Sequence, residues 1–157
     1  MESDEIIKMP SNAKYKYLVN KTISFTVEGM NVGKWDLYDA ENGAIGKLLA
    51  KGRGNTVEVY RGFRCDGCSV IGDFFENEVT LKSSILHDIL YIVAKNNNFN
   101  AKFNLFQADI WFRDYMSGQF KRAFFIPWAY YIGITLFGLP WKLGKTRGWL
   151  ISDKVLY

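Results

Sequence analysis

Apolar residues recur along this chain with two periods, and the change of period divides it. From Tyr17 to Val27 (YLVNKTISFTV) and from Asn55 to Phe63 (NTVEVYRGF), β-branched and aromatic residues alternate in part with polar ones, which predicts strands. Between them, glycines at 29, 33, 43, 46, 52 and 54 predict turns around short strands, or a short helix over Ala44 to Lys51. Residues 73–77 read as a surface loop that buries Phe74 or Phe75. Beyond residue 80 the spacing lengthens to three and four. Ile85, Leu86, Ile89, Leu90 and Val93 predict an amphipathic helix from Lys82 to Lys95, capped by Ser83 or Ser84 and stopped at the asparagine run 96–98. A second helix is expected from Asn104 to Ser117, capped by Asn104 and ended by Gly118.

The stretch 123–141 (AFFIPWAYYIGITLFGLPW) holds no charge across nineteen residues. Pro127 suits the first turn of a helix, while Gly138 and Pro140 end one. The helix is then about twelve residues, too short for the roughly twenty that span a bilayer. It reads as a third core helix turning Trp128, Tyr131, Ile132 and Leu136 inward. If exposed, its aromatics would suit a membrane surface or a partner protein. The expected fold class is α+β: a small N-terminal antiparallel sheet followed by three helices, two of them antiparallel. It forms one domain, with 1–75 mainly strands and turns, 80–141 mainly helical and 142–157 a basic tail.

Two polar insertions stand out against this apolar background. His87 is the chain's single histidine and lies beside Asp88 within the first helical pattern. Tyr91, four residues on, shares the face of His87, and Asp88 points about 100° away. In the second helix Asp109 interrupts a stripe formed with Leu105, Phe112 and Met116. A buried carboxylate is costly without a donor, so Asp109 should meet one, and His87 with Tyr91 can supply the pair. Such a carboxylate would fix the histidine tautomer and raise the basicity of the other ring nitrogen, which could deprotonate water. Asp88 could hold a hard cation such as calcium, with loop carbonyls completing its shell. The same side chains could instead form a satisfied polar cluster that only pins two helices, and spacing does not choose between these.

At these residues the sequence resembles a family of small phage and prophage proteins, the domain of unknown function 1353. The likeness runs through Gly62-Phe63-Arg64-Cys65-Asp66-Gly67-Cys68-Ser69-Val70, then His87 to Tyr91, then Ala108-Asp109-Ile110-Trp111-Phe112, and on to Phe137-Gly138 and Trp141. Cys65 and Cys68 stand where the family usually has threonine and a small residue. The resemblance implies a bacteriophage or prophage origin, a virion- or tail-associated structural or accessory role, and other virion proteins as partners. More loosely, His-Asp-x-x-Tyr followed by Ala-Asp is similar to phospholipase A2 in its compact viral capsid form. That likeness implies His87 as base, Asp109 as its orienting acid, Tyr91 as a second bond to Asp109, and Asp88 as a calcium ligand. Loop carbonyls from Tyr60 to Gly67, and Asp66, would join Asp88. The alternative function is therefore a calcium-dependent hydrolase acting on membrane lipid during infection. The phospholipase loop is richer in glycine, and Arg64, Cys65 and Asp66 are not its usual occupants.

Composition adds limits. The 157 residues suffice for one hydrophobic core, and the net charge of +4 is modest. No nucleic-acid-binding motif is visible, and nucleic acid is not an expected partner. Met1 to Glu5 is acidic with no apolar stretch behind it, which predicts no secretory signal and synthesis in the host cytoplasm. Cys65 and Cys68 form a Cys-x-x-Cys pair around Asp66-Gly67. A zinc site would need two further ligands, and a redox pair would sit at a helix start, so two reduced thiols in a turn are the plainest reading.

Overall fold

The computed structural model describes residues 5–13, 15–41, 44–65, 77–96, 99, 101–119, 125–137 and 155–156. Two antiparallel sheets, all of whose strands but the last precede three helices, make up the described structure, so the α+β class holds. One sheet has the order β1-β2-β7, from β1 (Ile6–Lys8), β2 (Tyr17–Val19) and β7 (Arg64–Cys65). The other has the order β3-β6-β5-β4-β8, from β3 (Ile23–Thr26), β4 (Lys34–Glu41), β5 (Ala44–Arg53), β6 (Thr56–Val59) and β8 (Val155–Leu156). The single expected sheet is thus two. The expected strand over Tyr17–Val27 splits between them, and Val155–Leu156 from the basic tail pairs with β4 at Tyr38 and Asp39.

Strand formation follows alternation where alternation survives. Ile23 and Phe25 face the core while Ser24 and Thr26 face out, and Val57 and Val59 are buried between more exposed Thr56 and Glu58. A helix over Ala44 to Lys51 is not formed. These residues belong to β5, a ten-residue strand paired with β4. The register passes from Leu37↔Ala50 to Tyr38↔Leu48, so Leu49 is an inserted residue on the β5 side. The bulge lets Leu49 and Ala50 both be buried in succession, which erases the two-residue period that would have marked a strand.

Helix α1 (Glu78–Lys95) starts four residues before the expected position and is capped by Asn77 rather than Ser83 or Ser84. The Thr80 amide donates to Asn77 Oδ1 and the Asn77 amide to Thr80 Oγ1, both at 3.0 Å, a reciprocal capping box. Ser83 and Ser84 lie inside the helix, donating to the carbonyls of Val79 (2.7 Å) and Thr80 (2.8 Å). From Ser83 to Val93 every residue except His87 is buried, so α1 is a central core helix rather than a surface one.

Helix α2 (Leu105–Gln119) begins with a second reciprocal box. The Gln107 amide donates to Asn104 Oδ1 and the Asn104 amide to Gln107 Oε1, both at 2.9 Å. Asn104 is the expected cap, but the helix continues through Gly118. Val79 of α1 packs on the cluster of Phe112 and Met116 late in α2, whereas Tyr91 reaches Asp109 early in α2. The two helices are therefore antiparallel. Phe25 of β3 stacks edge-on against Tyr115 at 5.2 Å, fixing α2 to the larger sheet.

Helix α3 (Phe125–Phe137) joins a separate small cluster of Phe112, Met116, Tyr130 and Ile134. Its inward face is Pro127, Tyr130 and Ile134, roughly opposite to the face expected. Trp128, Ile132 and Leu136 are exposed, and Tyr131 is intermediate. The helix is apolar almost all round, so periodicity carried no information about which side would meet the core. No helix among the described residues is long and apolar enough to cross a membrane.

The β4–β5 pairing makes one sharp packing demand. Trp35 lies opposite Gly52, donates its indole N–H to the Val32 carbonyl at 3.0 Å, and lays its ring where a Gly52 side chain would be. A Cβ at Gly52 would overlap Cε2, Cζ2 and Nε1 of that buried ring. Gly52→Ala is therefore expected to destabilise the protein by about 1–3 kcal/mol, although alanine usually favours order over glycine. Urea unfolding followed by tryptophan fluorescence checks this, and an unchanged midpoint would contradict the packing described.

Candidate functional site

The site is a buried carboxylate with donors from two neighbouring helices. Asp109 enters from the second turn of α2, one residue after fully buried Ala108, and only 1% of it is exposed. His87 and Tyr91 enter from α1 one turn apart, so their rings meet in a tilted contact, with centroids 4.1 Å apart. His87 Nε2 lies 2.8 Å from Asp109 Oδ1, and the Tyr91 hydroxyl donates to the same oxygen at 2.6 Å. Thr135 Oγ1 of α3 donates to Asp109 Oδ2 at 3.4 Å, a long contact that nevertheless brings the third helix to the carboxylate. The three expected partners, His87, Asp109 and Tyr91, are thus brought together.

Each distance has a chemical reading. An ionised carboxylate only accepts, so with Asp109 charged the proton between it and His87 belongs to Nε2. That tautomer places the basic lone pair on Nδ1. Phe112 packs edge-on to the imidazole at 5.2 Å and forms an apolar wall. The histidine side chain keeps 13% exposure against 1% for its carboxylate partner. The acid is sealed, while the histidine side chain is partly exposed. Burial, then the charge of Asp109 and the bond to it, push the Tyr91 hydroxyl far above its ordinary value of 10.0, so Tyr91 remains a donor throughout the physiological range.

Asp88 follows His87 on α1 and is itself buried, not set on an open face. Among the described residues no group of three His, Cys, Asp or Glu side chains is arranged to hold a metal ion. Asp66, the second expected calcium ligand, lies outside the described residues, as do Gly67 and Cys68. Cys65 is buried in β7. Thr135 was missed by sequence reasoning. A threonine inside an uncharged aromatic run has no local signal that marks it as a carboxylate partner.

The raised Tyr91 value gives a pH prediction with a definite sign. A proton held more tightly in the folded state contributes stability below the unfolded value near 10.0, and that stability is lost as pH rises above it. Urea unfolding near pH 8 should show Tyr91→Phe less stable than wild type by about 1.5–3 kcal/mol, the range for a hydrogen bond to a charged group. Above about pH 10 the gap should narrow, because only the wild type loses the phenolic contribution. A gap that stays constant from pH 8 to 11 would show that the hydroxyl is not bonded to Asp109 as described.

No family model matches the chain, and neither the curated proteins nor the solved structures contain a match to it. The chemistry of the site is accordingly read from its own geometry.

Proposed function

We propose that this chain is a small phage- or prophage-encoded, virion-associated accessory protein, and that His87 and Asp109 form a water-activating dyad that hydrolyses lipid esters. The observation that carries the reading is the asymmetry of the pair. Asp109 is sealed and doubly bonded on Oδ1 by His87 and Tyr91, while His87 keeps contact with solvent. A packing cluster has no need of that asymmetry, whereas a general base requires it. The phage origin and the ester substrate rest on the resemblance of the His87–Tyr91 and Ala108–Asp109 segments to the families described above.

In the proposed reaction Nδ1 of His87 takes a proton from water as the oxygen adds to the ester carbonyl carbon. Asp109 stabilises the imidazolium through the Nε2 proton and holds the ring in one orientation, as carboxylates do in hydrolytic triads. Tyr91 donates to the same carboxylate oxygen and keeps the acid in place. When the tetrahedral intermediate collapses, the carbon–oxygen bond to the alcohol breaks and His87 returns its proton to the departing oxygen. One ester and one water give one acid and one alcohol.

The resemblance to phospholipase A2 would add calcium at Asp88. Asp88 offers one buried carboxylate, but calcium takes six to eight oxygen ligands. The remainder would have to come from carbonyls and from residues outside those described, Asp66 among them. No step is therefore derived through the cation.

The second reading, a purely structural virion component, is favoured by one observation. Asp109 is bonded from both α1 and α3, so it would pin the helices even without chemistry. His87→Gln separates the two, because the glutamine amide can still donate to Asp109 but cannot act as a base. With phospholipid in mixed micelles, wild type should release fatty acid, tested both with calcium and with chelator. His87→Gln should fall by about a hundredfold or more while keeping its unfolding midpoint near that of wild type. No release by wild type under either condition would discard the hydrolase reading and leave the structural one.

A further inference from the structure

Four of the six exposed large hydrophobic side chains among the described residues lie on the outward face of α3. Phe125, Trp128, Ile132 and Leu136 recur at spacings of three and four, and each is between 49% and 63% exposed. They fall on one side of the helix, opposite Tyr130 and Ile134, which hold it to α2. Scattered exposed apolar residues are ordinary, but four aligned on one short helix are not.

In the sequence on either side of α3 the basic residues are not balanced by acidic ones. Between Asp114 and Asp153 the sequence holds Lys121, Arg122, Lys142, Lys145 and Arg147 and no acidic residue. The rest of the chain carries 15 basic against 16 acidic residues, so the entire net charge of +4 originates in the segment containing α3. Lys121 and Arg122 lie four and three residues before Phe125, so covalent reach alone limits them to about 15 Å from its backbone. Lys142 follows Phe137 by five. At the rim, the Arg113 guanidinium stacks 4.7 Å from the Trp128 ring and 5.1 Å from that of Tyr131, its charge shared with Asp114 at 2.9 Å.

We infer that the outer face of α3 docks on an anionic lipid surface. Phe125, Trp128, Ile132 and Leu136 enter the headgroup and acyl boundary, and the positive excess of the sequence on either side of α3 favours anionic headgroups. A thirteen-residue helix is about 20 Å long, which suits lying in the interface and not crossing it. An apolar face in a segment whose sequence is basic matches a negative membrane better than another copy of this chain, whose own α3 segment carries the same positive excess. The inference stands independently of the hydrolase reading, since it uses neither His87 nor Asp109.

The test is co-flotation of the full chain with vesicles of phosphatidylglycerol and, separately, of phosphatidylcholine, alongside light scattering for mass. The His87→Gln protein is run in parallel so that ester cleavage cannot alter the vesicles. Wild type and His87→Gln should both float with phosphatidylglycerol, should float far less with phosphatidylcholine, and should be released as salt is raised. Ile132→Ser with Leu136→Ser, and separately Lys121→Glu with Arg122→Glu, should each weaken flotation about tenfold or more. The first pair lies at exposed positions where the fold tolerates substitution, and an unchanged melting temperature verifies this. No flotation by wild type, equal binding to both lipids, or flotation unaffected by either double variant would overturn the inference. A stable dimer dissociated by Ile132→Ser and Leu136→Ser would overturn it in favour of self-association.

Discussion

A carboxylate held almost entirely out of water constrains the helical half of this protein. Removing an ionised Asp109 from solvent costs several kcal/mol unless each oxygen is met by a donor in good geometry. The donors come from different places in the chain: His87 and Tyr91 on α1, and Thr135 on α3. Because two of them share one oxygen within 2.8 Å, α1 and α2 have little freedom to slide. A shift of one residue would carry Asp109 about 1.5 Å along its axis and swing it about 100° around it. Apolar packing alone tolerates re-registered neighbours, since one leucine replaces another at small cost. The buried polar cluster does not, and it selects one register from the several that the apolar surface of α1 would accept.

That constraint also explains why the site was more legible in the sequence than the fold around it. His87 and Tyr91 are separated by one helical turn, and Asp109 breaks an apolar stripe, so a polar residue in the wrong environment announced its own need for a partner. Position and chemical type were both visible. Thr135 gave no such warning, because a threonine can satisfy its hydroxyl within its own helix and then leaves no trace in the pattern. The cap of α1 was misplaced for a related reason. Ser83 and Ser84 are good cap residues by type, but both use their hydroxyls on carbonyls one turn back, and Asn77 with Thr80 performs the capping.

Elsewhere the losses were of period. The bulge at Leu49 places consecutive side chains on the buried side, so the sequence did not decide between short strands and a short helix where β5, the longest strand among the described residues, forms. In α3 the opposite condition held. Almost every position is apolar, so the helix and its length were readable, but its inward face was not. The residues that pack, Tyr130 and Ile134, differ little in character from the exposed Trp128 and Ile132. Which of them is buried depends on where Phe112 and Met116 of α2 present their surfaces, and that is a tertiary fact absent from any window of the α3 sequence.

Helix α3 therefore connects the two parts of the functional argument. Its inner face packs through a small cluster, separate from the main core, and it brings Thr135 to Oδ2 of Asp109, while His87 and Tyr91 meet Oδ1. Its outer face presents aligned apolar side chains, with Leu136 immediately following Thr135 in the chain. Anything that binds the outer face adds contacts to those that already join this helix to α2, and binding to that arrangement alone stabilises it by mass action. The carboxylate is best satisfied when α3 is in place, and the imidazole orientation depends on that carboxylate. A surface that engages Trp128, Ile132 and Leu136 would thus also favour the arrangement in which Asp109 is sealed and His87 is aligned, without needing to touch either residue.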